Sequence, residues 1–201
     1  INIGALNETN AFAANEHIIY RESDLIAKPA FECGTENLPV PSQNPLPKFT
    51  LPETTNAVLN TEPVDIYFEA DYSCYTGNSS NITTTVNWAT AIFNVVTTLY
   101  ENDSVYTKMS GIKVWNITDP YVSLSTTSNV LYAFAANMSA GFPGDLAHLL
   151  SRRGLGGGVA FLNVLCQSAY HRTAVSANLS SSFNAFPVYS WNTMVITHEL
   201  G

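Results

Sequence analysis

Two periodicities alternate along the second two-thirds of the chain. In "PVDIYFEADYSCY", Val64, Ile66 and Phe68 alternate with Asp65, Tyr67 and Glu69, the two-residue period of a strand. In "TTTVNWATAIFNVVTTLYEND", Val86, Ala89, Phe93, Val96 and Tyr100 recur every three or four residues, which predicts an amphipathic helix over about 84–101. "VYTKMSGIKVWNITDPY" is β-rich and closes at a turn, Asp119-Pro120. "SLSTTSNVLYAFAANMSAG" predicts a helix capped by Ser123 or Ser125 and running to about 138, with Gly141 as its stop signal. "GDLAHLLS" is a short strand, and the glycines of "GLGGGVAFLNVLC" feed another. In the last stretch, Ser190 is placed to cap a helix that carries Met194, Val195 and His198. The order β-α-β-α-β-β-α, without an internal repeat, predicts an α/β (α+β) fold, a mixed twisted sheet with packed helices.

The first 60 residues have a different texture. "HIIYRESDL", from His17 to Leu25, has strand character. Pro39, Pro41, Pro45, Pro47 and Pro52 then crowd into one short stretch. Each fixes φ and removes a donor, so an extended linker is expected there. The chain thus divides into residues 1–60, a tail and linker, and residues 61–201, a folded unit.

Composition narrows the classes of function. A chain of 201 residues is long enough for one full core. Hydrophobic residues make up 46% and charged ones only 12%, so Asn, Ser and Thr supply much of the polarity. Eight Lys plus Arg against a net charge of −8 leave no cationic stripe for nucleic acid. No apolar run reaches the roughly 18 residues that span a bilayer, and no signal peptide is visible. With Ile at position 1, the expectation is that upstream sequence has been removed. Sequons occur at Asn7, Asn78, Asn81, Asn102, Asn116, Asn137 and Asn178; in an Asn/Ser/Thr-rich chain many arise by chance, and they imply glycosylation only in a secreted eukaryotic protein. The low-charge, Asn- and Thr-rich, acidic composition favours a secreted, extracellular protein. Cys33, Cys74 and Cys166 have no C-x-x-C spacing, which excludes a cysteine zinc knuckle. Their odd number leaves at least one thiol free or paired elsewhere, and the pairing of Cys74 and Cys166 stays open.

The chemistry concentrates in "THELG", Thr197 to Gly201. His-Glu opens H-E-x-x-H, in which two histidines on one helix face bind zinc and the glutamate works on metal-bound water. The second histidine would fall at position 202, so by itself the pair is also compatible with a solvated helix end. His17, His148 and His171 have no partner at ligand spacing. Asp71, Asp119 and Asp145 lack the spacing of a calcium loop and are expected in turns and caps. No G-x-S-x-G elbow supports serine chemistry.

From about residue 63 onward the chain resembles the first half of a reprolysin/adamalysin-type metalloprotease domain, within the metzincin group. "VDIYFEADYSCY" resembles its opening strand and "VNWATAIFNVVTTLYEN" its first long helix. "SGIKVWNITDPY" resembles the next strand, "GDLAHLLSRRGLGGGVAFLNVLC" the paired strands leading to the cleft, and "YSWNTMVITHELG" the active-site helix. The resemblance implies a metzincin-like mixed sheet and zinc-dependent hydrolysis of peptide bonds in protein or peptide substrates. It makes His198 the first zinc ligand and Glu199 the general base. It gives Gly157, Gly158, Val159 and Ala160 the role of pairing with substrate along a cleft-side strand; the bland reading is a hairpin whose glycines serve the turn. It also suggests that Cys33, in "FECGTENL", closes the zymogen by binding zinc from the propeptide. A structural disulfide or a buried thiol remains open for Cys33. The family's later histidines and methionine turn are not among these residues. The polypeptide is therefore expected to lack the C-terminal part of the catalytic domain and to bind catalytic zinc weakly or not at all by itself. The rival reading is a non-catalytic secreted binding or adhesin domain on the same fold.

Overall fold

The computed structural model describes residues 2–5, 17–20, 34–38, 62–182 and 190–201. Two short strands, β1 (Asn2–Ala5) and β2 (His17–Tyr20), pair antiparallel. The rest of "HIIYRESDL", Cys33 and the proline-rich stretch lie outside the described residues. Gly34–Asn37 forms one 3-10 turn.

The core is a five-stranded sheet. Its strands are β3 (Val64–Ala70), β4 (Thr107–Val114), β5 (Leu146–Leu150), β6 (Gly158–Ala160) and β7 (Thr173–Ser176). They lie in the order β4-β3-β5-β7-β6. Pairings within β4-β3-β5-β7 are parallel, and β6 runs antiparallel to β7 at one edge. Between and after the strands lie α1 (Tyr72–Gly77), α2 (Ile82–Asn102), α3 (Thr127–Met138) and α4 (Trp191–Leu200).

The alternation of β3 sorts its residues between two cores. Ile66, Phe68 and Ala70 are buried in one cluster with Trp88, Ile92, Phe93 and Val96 of α2 and with Val195 and Ile196 of α4. Ala147, Leu149, Val159 and Val175 face the other way, against Val130, Leu131, Phe134 and Ala135 of α3. Helices therefore cover both faces, as a largely parallel sheet requires.

The expected long helix is α2, two residues longer at its start because the Asn81 side chain accepts from Thr84 N at 2.9 Å. The helix expected to be capped by Ser123 or Ser125 is instead capped by Thr126, whose hydroxyl accepts from Asn129 N. Residues 121–124 are held as a turn. Arg153 Nη1 donates to the carbonyls of Tyr121, Val122 and Leu124, and those serines precede the first free helical register. Gly141, at φ +110°, ends that segment as expected. Strand β7 and helix α1 were not anticipated, and the strand expected across "GLGGGVAFLNVLC" is confined to Gly158–Ala160.

Candidate active site

Helix α4 carries His198 and Glu199 on its last turn. Its placement begins with Asn192, which is completely buried. The Asn192 amide accepts from Ser180 N and donates to Ser180 O, both at 2.9 Å. Trp88 of α2 donates to the same Ser180 carbonyl. At the other end of α4, Tyr100 OH donates to Thr197 O at 2.6 Å. Val195 and Ile196 fill the core between these two ties. The helix is therefore held by apolar packing in the middle and by side-chain hydrogen bonds at each end. Ser190 occupies the N-cap position, but its side chain makes no capping bond.

This placement sends two adjacent side chains into different surroundings. His198 is exposed, whereas Glu199 is only 5% exposed. Both line a cavity of about 860 Å3, which Ala160, Phe161 and Arg172 also border. Glu199 Oε1 has no hydrogen-bond partner. Burial disfavours the charged carboxylate and pushes its pKa up to about 8. A buried carboxyl with an unpartnered oxygen is costly to keep. It is also the environment in which a carboxyl can accept and release a proton near neutral pH.

The edge strand β6 forms the wall beside Glu199. Its register divides the four residues expected along a substrate strand. Gly158, Val159 and Ala160 stand opposite Ser176, Val175 and Ala174. Ala177 N donates to Gly157 O at 2.9 Å, and the antiparallel alternation turns the backbone of Val159 toward β7 as well. The backbone groups of Gly158 and Ala160 turn outward. The outward pair at Ala160 is met by Thr35: Thr35 Oγ1 donates to Ala160 O at 3.1 Å, and Ala160 N lies 3.3 Å from the same oxygen. A Cβ at Gly34 would lie 3.3 Å from the Val159 side chain, and Leu38 packs on the core behind the strand. Cys33 is the residue before Gly34 and lies outside the described residues.

The remaining polar candidates have structural partners. Asp71 caps α1 by accepting from Cys74 N, and also binds Ser73, Ser151 and Arg153. Asp119 accepts from the backbone of Tyr72 and Tyr121, and Asp145 from Asp65 N. His148 is fully buried with Nε2 against Ser176 Oγ at 2.8 Å. His171 Nδ1 meets Ser168 Oγ. Cys74 is a buried free thiol donating to Leu150 O, and Cys166 is an exposed free thiol, so the two are not paired with each other. No signal in the sequence pointed to Thr35 or to the Asn192 clamp.

A mixed sheet with one antiparallel edge strand, beside a helix that brings His-Glu to a cavity, is consistent with the catalytic domain of a metallopeptidase. Residues 60–201 match the model of metallo-peptidase family M12, reprolysin type, and the chain belongs to that family. It is also similar to a solved chain described as "Structure of a chaperone-substrate complex", with a TM-score of 0.48 and 13% sequence identity. That alignment covers 69% of this chain and 25% of the other, so the chain spans about a quarter of that structure's length.

Membership of this family implies zinc. The side chains match part of such a site. His198 offers an imidazole at the cavity, and Glu199 offers a carboxyl with a free oxygen. Among the described residues no three His, Cys, Asp or Glu side chains gather as a metal-binding group, whereas a catalytic zinc takes three protein ligands. These residues fit one ligand and the base of a zinc site, not a complete one.

Proposed function

We propose that this chain is the pro-segment and amino-terminal catalytic portion of a secreted zinc-dependent endopeptidase. The observation that carries the reading is the pairing of an exposed His198 with a buried Glu199 whose Oε1 has no partner, at a cavity bordered by an edge strand. Among the described residues, His198 is the side chain that would hold the catalytic zinc. Zinc, when bound, supplies a Lewis acid that acidifies water and polarises a peptide carbonyl. Glu199 accepts a proton at its free Oε1 and later releases it to the departing amine. Its unpartnered Oε1, at the cavity, is the atom placed to take up and give back that proton. Gly158 and Ala160 present outward backbone groups, with which an extended peptide pairs as an added strand. The segment at Gly34–Leu38 stands on that same edge, which supports a zymogen closed from the propeptide side, with Cys33 as its inhibitory zinc ligand. The low-charge, Asn- and Thr-rich, acidic composition supports an extracellular setting. No helix among the described residues is long and apolar enough to cross a membrane.

The test uses the full-length protein, with metal content measured alongside hydrolysis of a quenched peptide library. The expected result is about one zinc per chain, with Glu199→Ala keeping the metal while turnover falls by about 10²–10⁴-fold. His198→Ala loses the metal, and Cys33→Ser raises the activity of the unprocessed chain. Wild-type turnover in Glu199→Ala overturns the reading of the site.

A further inference from the structure

Three glycines in a row enter β6, and they are glycine for different reasons. Gly156 and Gly157 have φ of +100° and +141°, a region in which a side chain is strained. Gly158 has no positive φ and sits in regular antiparallel pairing with Ser176. Its backbone would accept any residue. Space is what it lacks: a Cβ at this position would lie 2.5 Å from Glu199 Oε1, 2.6 Å from Cγ and 2.7 Å from Cδ.

We propose that Gly158 is a positioning residue, whose absent side chain forms the slot in which the Glu199 side chain is held against the edge strand. The inference rests on the proposed role of Glu199 as the proton-transferring group. The clash involves the whole outer half of the side chain, not its tip alone, because Cγ is as close as the carboxyl atoms. Gly77 shows the contrast. A Cβ there would meet the guanidinium of Arg152, the far end of a flexible side chain that can swing into solvent. Glu199 can yield only into the cavity it lines, since it is otherwise buried and its helix is tied by Asn192 and Tyr100. A methyl group at 158 therefore forces the carboxyl out of its slot, away from the strand with which a peptide would pair.

The test is a double-mutant cycle in the full-length protein, read by thermal unfolding and by steady-state kinetics. Gly158→Ala is expected to lower Tm by several degrees when Glu199 is present and by little in the Glu199→Ala background. In kinetics, Gly158→Ala is expected to lower kcat by about tenfold or more with KM little changed. Gly158→Ala/Glu199→Ala is expected to turn over no more slowly than Glu199→Ala. Glu199→Asp, one methylene shorter, is expected to recover part of the Tm lost to Gly158→Ala. If Gly158→Ala alone does not fold, folding of Gly158→Ala/Glu199→Ala supports the proposal in the same way. An equal loss of Tm in both backgrounds overturns it, because the glycine then serves the strand alone. A rise in KM with unchanged kcat also overturns it, because the methyl then blocks substrate and not Glu199. Absence of peptidase activity in the wild type overturns the proposed function, and the thermal cycle still decides the contact.

Discussion

His148 and Glu199 are both buried ionisable groups, and burial acts on them in opposite directions. For Glu199 it raises the pKa; for His148 it lowers it to about 3, because in each case the neutral form is favoured. His148 sits at the centre of the sheet with Nε2 on Ser176 and Nδ1 without a partner, and its ring tilts against Phe68. The pKa contrast gives a signed prediction. In the unfolded chain a histidine takes up its proton near pH 6.5, whereas in the fold it does so only near pH 3. Between those values the unfolded state binds more protons, so stability falls as the pH falls across this window. The His148→Gln variant is expected to lose about one proton's worth of that slope, roughly 1.4 kcal/mol per pH unit. Denaturant titrations from pH 3 to 7 measure it, and parallel slopes for wild type and variant would refute a neutral buried imidazole.

At the scale of elements, α4 shows how a short helix is fixed in place. Ten residues are too few to be stable in isolation, so its position depends on Val195, Ile196 and the two end ties. Asn192→Ala removes both hydrogen bonds to Ser180, each worth about 1 kcal/mol net. The expected loss is about 2 kcal/mol in the unfolding free energy, read from the urea midpoint, and a loss below about 0.5 kcal/mol would show that packing alone sets the helix. Elements with a clean period were legible in the sequence. β3 alternates between two cores, and α2 keeps an apolar face over 21 residues. β7 was not legible: Thr173, Ala174, Val175 and Ser176 are all buried, so it has no polar face to alternate with. α1, six residues long, is shorter than two turns and leaves no periodic trace. The start of α3 was misplaced because Arg153, far along the chain, holds the preceding turn. His198 and Glu199 could be singled out from a short motif and a resemblance. The contacts that place them, from Asn192, Tyr100 and Gly158, join residues distant in sequence and became visible only in the fold.

For the molecule as a whole, the outer edge of β6 is both its opportunity and its hazard. An edge strand with unpaired backbone groups recruits extended peptides, and it equally recruits other copies of itself unless something covers it. Here the cover comes from the amino-terminal part of the same chain. One hydroxyl, Thr35 Oγ1, stands within hydrogen-bond distance of both the N–H and the carbonyl of Ala160. A side chain thus satisfies both groups that a paired peptide strand would otherwise use. The arrangement couples the segment before residue 60 to the strand proposed to receive substrate. Thr35→Val keeps the shape and removes the hydroxyl, which isolates that coupling. The Ala160 amide is then expected to exchange with solvent roughly fivefold faster, the effect of losing a hydrogen bond worth about 1 kcal/mol. Val159, whose backbone turns toward β7, should keep its protection. Residue-resolved hydrogen exchange on the full-length protein decides between the two possible outcomes. Faster exchange confined to Ala160 means that Thr35 guards the edge, whereas unchanged exchange there means that solvent or another group holds it and the amino-terminal segment leaves the strand open.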